Sequence, residues 1–169
     1  MALNGFIQVE HEDVYPRGAF LLNTPQPARD FKRSSQDVEV QEVVRDETGA
    51  PVLVDGEQQR IWQVDVIDAD EDVSGEATRV RVKIISVRQP VPPPAIPGTP
   101  FRPVVFEGLA VKAWVNRDRC RVEANKPHRC GAKQAWSLMA TGLRPANVPG
   151  LATEAKAPAA AAGNGRAAR

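Results

Sequence analysis

The clearest signal in the chain is an alternation of apolar and polar residues in two neighbouring stretches. Ile61, Trp62, Val64 and Val66 are interleaved with Gln63 and Asp65, and Val80, Val82 and Ile84 with Arg79, Arg81 and Lys83. A repeat of two sends successive side chains to opposite faces, as in a strand with one buried and one wet side. Residues 68–76 between the two runs are polar and include Gly75, so they read as a loop joining antiparallel neighbours. The second strand then carries three cations in a row on its outward face.

Shorter runs repeat the pattern. Phe6, Ile7 and Val9 make one, and residues 18–22 another, stopped by Pro25 and Pro27, which lack a donor for the ladder. Val38, Val40, Val43 and Val44 follow, then Val52, Leu53 and Val54 with the turn pair Asp55-Gly56. Residues 40–44 are expected to lie antiparallel to residues 61–67, with 46–60 as an extended hairpin tip. Seven prolines between Pro90 and Pro103 exclude helix and central strand and predict a stiff connection. Val104 to Phe106, then Leu109, Val111 and Val115, resume the strand pattern around a kink at Glu107-Gly108. Trp136, Leu138 and Ala140 form a last strand that Gly142 closes.

These short strands, with no helical period, predict an all-β domain over residues 1–144. Strand edges must be hidden, which favours a small antiparallel barrel, OB-like, with a compact β-sandwich as the other arrangement. Trp62, Trp114 and Trp136 are assigned to its core. Residues 145–169 are alanine, proline, glycine and a few charges, too poor in large apolar groups to offset the entropy of ordering. A disordered Ala/Pro-rich tail is expected there.

Composition narrows the function classes. No run approaches the roughly 18 to 20 apolar residues of a membrane span, and the N-terminus lacks the layout of a signal peptide. A cytoplasmic protein with no membrane partner is expected. The net charge of +1 hides an asymmetry. Residues 36–76 hold thirteen acidic side chains against two basic ones, and residues 79–133 hold twelve basic against three acidic. Such a split can orient a protein on a polyanion or join two copies head to tail, and it can equally be two solvated surfaces.

Few residues offer chemistry. Cys120, His128 and Cys130 are zinc-ligand types, but no C-x-x-C pair exists and a fourth ligand would have to be His11. Two thiols facing each other across a hairpin tip is the plainer account. Asp65, Asp68, Asp70, Glu71 and Asp72 lack the glycine and distal glutamate of a calcium loop, and no histidine stands nearby as a base. No nucleophile elbow, phosphate loop or dinucleotide fingerprint is present. The sequence therefore predicts neither an enzyme nor a cofactor.

The cations are the better lead. Arg79, Arg81 and Lys83, joined by Lys112 and by Arg117, Arg119, Arg121, Arg129 and Lys133 of the basic hairpin tip, would let a phosphate backbone lie across one β surface. Single-strand binders add exposed aromatics, for which Tyr15, Phe31 and Phe101 are the candidates. Phe31 lies within Arg29, Asp30, Lys32 and Arg33, a mixture able to stack on a nucleotide and neutralise it. The preferred reading of that loop is that Phe31 pins it to the core.

Several ordered blocks carry a family resemblance. Tyr15-Pro16-Arg17-Gly18, Ala28-Arg29-Asp30-Phe31, Trp62 through Asp70, Arg79 through Lys83, Gly98 through Leu109, and Trp136-Ser137-Leu138-Met139-Ala140-Thr141-Gly142 resemble the actinobacterial plasmid replication, integration and excision activators. The likeness spans roughly residues 14–143. It implies a non-enzymatic accessory protein of an integrative or conjugative plasmid that switches on replication and excision in a Streptomyces-like host. The long tip with its two cysteines and the tail depart from the usual shorter form. Two mechanisms follow: contact with DNA, single-stranded DNA included, through the basic face, or docking on the replication initiator or a repressor through the acidic hairpin without touching DNA.

Overall fold

The alternation over residues 60–86 becomes the antiparallel pair at the centre of the molecule. In this computed structural model, which describes residues 5–35, 38–72, 78–120 and 130–147, β6 is Arg60–Asp68 and β7 is Arg79–Ser86. Val64 stands opposite Val82 and Trp62 opposite Ile84, and all four side chains are buried. Gln63 opposite Lys83, and Asp65 opposite Arg81, therefore point to the other face.

Around this pair the chain adds β1 (Ile7–Gln8), α1 (His11–Val14), β2 (Ala19–Leu21), β3 (Gln26–Pro27), β4 (Leu53–Val54) and β5 (Glu57–Gln58) before it, and β8 (Arg102–Glu107), β9 (Ala110–Asn116), β10 (Lys133–Ala140) and β11 (Gly142–Pro145) after it. The main sheet runs β1-β9-β10-β7-β6-β2-β8-β11, with β3 also on β6. Among the described residues every strand pairing is antiparallel except β10 with β7.

Closure comes from one long bent hairpin. Ala110 pairs with Met139 and Glu107 with Gly142, so the register passes unbroken from β9–β10 into β8–β11. The bend falls at Gly108, with φ +57°, and at Thr141, whose N–H donates to Glu107 O at 2.9 Å. At one end β10 reaches β7, and at the other β8 reaches β2, which returns to β6. The sheet curls on itself into a barrel-like form compatible with an OB-like fold, and the proline-rich residues 87–101 connect β7 to β8 without regular structure.

Leu21, Val64, Val66, Val82, Ile84, Val104, Phe106, Leu109, Leu138 and Ala140 fill the interior. Helix α1, too short to leave a periodic trace in the sequence, brings His11 and Tyr15 against Phe106, with ring centroids 5.2 to 6.1 Å apart. His11 Nδ1 accepts the Phe106 N–H at 3.2 Å, and burial lowers the pKa of the imidazole. Among the described residues no helix is long and apolar enough to cross a membrane.

Several expectations need correction. Residues 40–44 touch β6 only at its first residues, through Val43 opposite Arg60 and Ile61 N–H donating to Glu42 O; β7, β2 and β3 take the rest of that strand. Gly142 does not close the last strand but opens β11, and Ala146 N–H still reaches Pro103 O at 3.2 Å. Residues 148–169, most of the expected tail, lie outside the described residues. Of the three tryptophans only Trp62 is in the core; Trp114 is 44% and Trp136 54% exposed. Tyr15, expected as a stacking aromatic, is buried at 2%. Phe31 pins nothing: it is 83% exposed, with the Arg29 guanidinium 5.6 Å from its ring centroid.

Candidate nucleic-acid interface

Strand parity decides which side chains share the outward face. Leu138 and Val82 are paired and buried, so their neighbours Ser137 and Arg81 look outward; Ser137 pairs with Lys112, and Lys112 shares its parity with Trp114 and Asn116. Lys133 opposite Asn116 is on the same side. Phe6, just before β1, comes alongside Lys112, whose Nζ lies 5.9 Å from the ring centroid, within range of a cation–π contact. The outward face of β9, β10 and β7 thus carries Phe6, Lys112, Trp114, Lys133, Arg79, Arg81 and Lys83 together.

The aromatics on this face are open. Phe6 is 40% exposed. Trp114 is 44% exposed, and Val115 and Trp136 beside it are open too, because among the described residues the β9–β10 hairpin extends past the end of the core. Trp136, opposite Ala113 and one residue from the partner of Trp114, projects to the other side of the same ribbon. Phe101, the remaining expected stacking residue, leans on Phe20 with ring centroids 6.0 Å apart.

The strand cations are not free charges. Arg79 Nη2 lies 2.6 Å from Asp65 Oδ2, and Arg81 Nε lies 3.0 Å from Asp65 Oδ1. Lys83 Nζ meets Glu42 Oε2 at 2.5 Å, which ties the arm that follows β3 onto this face. Three cations thus face two carboxylates. By contrast, no ion pair among the described residues engages Lys112, Arg117 or Lys133. Arg117 and Arg119 sit where the hairpin leaves β9, and Arg119, Lys133, Asn116 and Asp118 line a shallow pocket there. Arg121 and Arg129, the other tip cations, lie outside the described residues, as does His128.

Asp65 is the electrostatic centre of the face. Burial alone pushes its pKa up, but hydrogen bonds and charge from Arg79 and Arg81 outweigh that and hold it below the ordinary 3.8. A depressed folded pKa means the carboxylate stabilises the fold above the ordinary value, and the contribution is lost as pH falls from there through the folded pKa. Asp65→Asn should therefore flatten the loss of stability on acidification below about pH 4. Urea midpoints for both proteins across a pH series measure it; parallel curves would contradict the assignment.

The other candidate chemistry does not assemble. Cys120 and Cys130 face each other with Sγ atoms 3.9 Å apart, while His11 is held in the core against β8. Asp68 and Asp70 accept N–H groups two residues ahead, of Asp70 and Asp72, and Asp65 is committed to arginines. Among the described residues no three metal-ligand side chains come together. No protein-family model, curated protein or solved structure matches the chain.

Proposed function

We propose that the protein is a non-enzymatic accessory factor of an integrative or conjugative plasmid, activating its replication and excision by holding single-stranded DNA on the outward face of β7, β9 and β10. Trp114 carries the DNA contact. An indole left 44% exposed between Lys112 and Asn116, with Lys133 across the ladder, is what a strand of unstacked bases requires: a flat apolar surface beside cations for the phosphates. The plasmid role rests on the ordered blocks of resemblance, and the strands it would hold are those opened at the element's origin of replication.

Fluorescence anisotropy with a labelled oligonucleotide of about 15 nucleotides, within the range an OB-like barrel covers, tests the contact. Log affinity should fall with log salt by about 0.7 per phosphate neutralised. Three contacts would give a slope near −2. The alternative is an adaptor that docks the replication initiator or a repressor without touching DNA. It draws support from Leu53 and Val54, 57% and 41% exposed on the acidic arm. Absence of oligonucleotide binding at low salt, with the initiator still captured, would favour that reading.

A further inference from the structure

Asp65 is placed oddly for a surface residue. It belongs to the wet face of β6, yet it is only 7% exposed, covered by the two arginines that bind it. Asn23 fixes it further: Asn23 Oδ1 accepts the Asp65 N–H at 3.0 Å, and Asn23 Nδ2 donates to Asp65 Oδ2 at 3.4 Å. Desolvation takes back part of the attraction that lowers the Asp65 pKa. The arrangement does order two long cationic side chains side by side.

Those side chains keep most of their donors. Arg79 spends one Nη and Arg81 its Nε on Asp65, while the side chains stay 65% and 60% exposed. Each guanidinium has five N–H groups, so the outer Nη edge of Arg81 and the Nε and second Nη of Arg79 are left for a ligand. The carboxylate between them cancels their mutual repulsion, and the trio keeps one net positive charge. Lys83 differs, since its pair with Glu42 is neutral and both side chains are more covered, at 38% and 32%.

We propose that Asp65 is a positioning residue that holds Arg79 and Arg81 as a paired clamp for one phosphate of the bound strand. This deepens the DNA reading and rests on it. A phosphate completes the neutralisation that Asp65 begins and takes the planar forks bidentately. The opposite role, a carboxylate that competes with phosphate for the arginines, makes the opposite prediction.

Anisotropy with the same oligonucleotide separates the two. Asp65→Asn should weaken binding about fivefold although it raises the net charge by one, and Arg81→Gln should weaken it similarly and lower the salt slope by about 0.7. Lys83→Gln should cost less than either. Asn23→Ala loosens Asp65 without changing charge and should weaken binding about twofold, which keeps the test open if Asp65→Asn folds poorly. In the wild type, the Nε–Hε resonances of Arg79 and Arg81 should shift on saturation with oligonucleotide. Affinity that is unchanged or tighter in Asp65→Asn, or unmoved resonances in a saturated complex, would overturn the clamp while leaving DNA binding standing. If the wild type binds no oligonucleotide, the DNA reading falls and the strand clamp with it, and titration with inorganic pyrophosphate then tells whether the paired arginines take phosphate at all: unmoved resonances overturn that too.

Discussion

Trp114→Ala is expected to weaken single-strand binding about tenfold or more, since a base stacked on an aromatic ring contributes on the order of 1 to 3 kcal/mol. The substitution should cost the fold little, because the side chain is 44% exposed and lies beyond the core. Trp136→Ala supplies the internal control. The two indoles sit on adjoining strands, one residue out of register, at similar exposure. Only Trp114 faces the side shared with Lys112 and Arg81. Loss of affinity in Trp114→Ala with near wild-type affinity in Trp136→Ala assigns the binding face. Equal losses would mean that the exposed hairpin is merely sticky.

Gly108→Val should be the most destabilising single change at the bend, by on the order of 3 kcal/mol or more. Its φ of +57° lies in the left-handed region, which a β-branched residue adopts only under strain. A Cβ there would also fall 2.4 Å from Thr141 Oγ1 and 3.2 Å from its Cγ2. Both strain and overlap act where the long hairpin turns from β9–β10 into β8–β11, so barrel closure depends on this residue. Adding Thr141→Ala should recover part of the loss by removing the overlap, but not the part due to φ. Urea unfolding of the single and double variants checks this; full recovery would contradict the backbone argument.

Much of this architecture is written in local pattern. The β6–β7 pair follows from alternation alone, and the Asp55-Gly56 turn from its residue types, with φ of 52° and 79° suited to a two-residue hairpin. The parallel contact of β10 with β7 leaves no such trace, because it depends on how a bent hairpin wraps around the barrel. Alternation also marks the faces of a strand without marking where the layer beneath it ends. That is why Trp136, which shares the parity of the buried Leu138, looked like core. The parity of Lys112 and Trp114 was legible and already places them on one face. The ion pairs were not, since opposing Asp65 to Arg81 requires a register that the loop sequence does not specify, and Glu42 reaches Lys83 across 41 residues.

A halogenated-uracil oligonucleotide bound to the protein, photocrosslinked and mapped by mass spectrometry, tests most directly whether the cationic aromatic face holds the strand. Adducts on Trp114 or Phe6 are the predicted result. A saturated complex that crosslinks only through Trp136 or Phe31 would contradict the account.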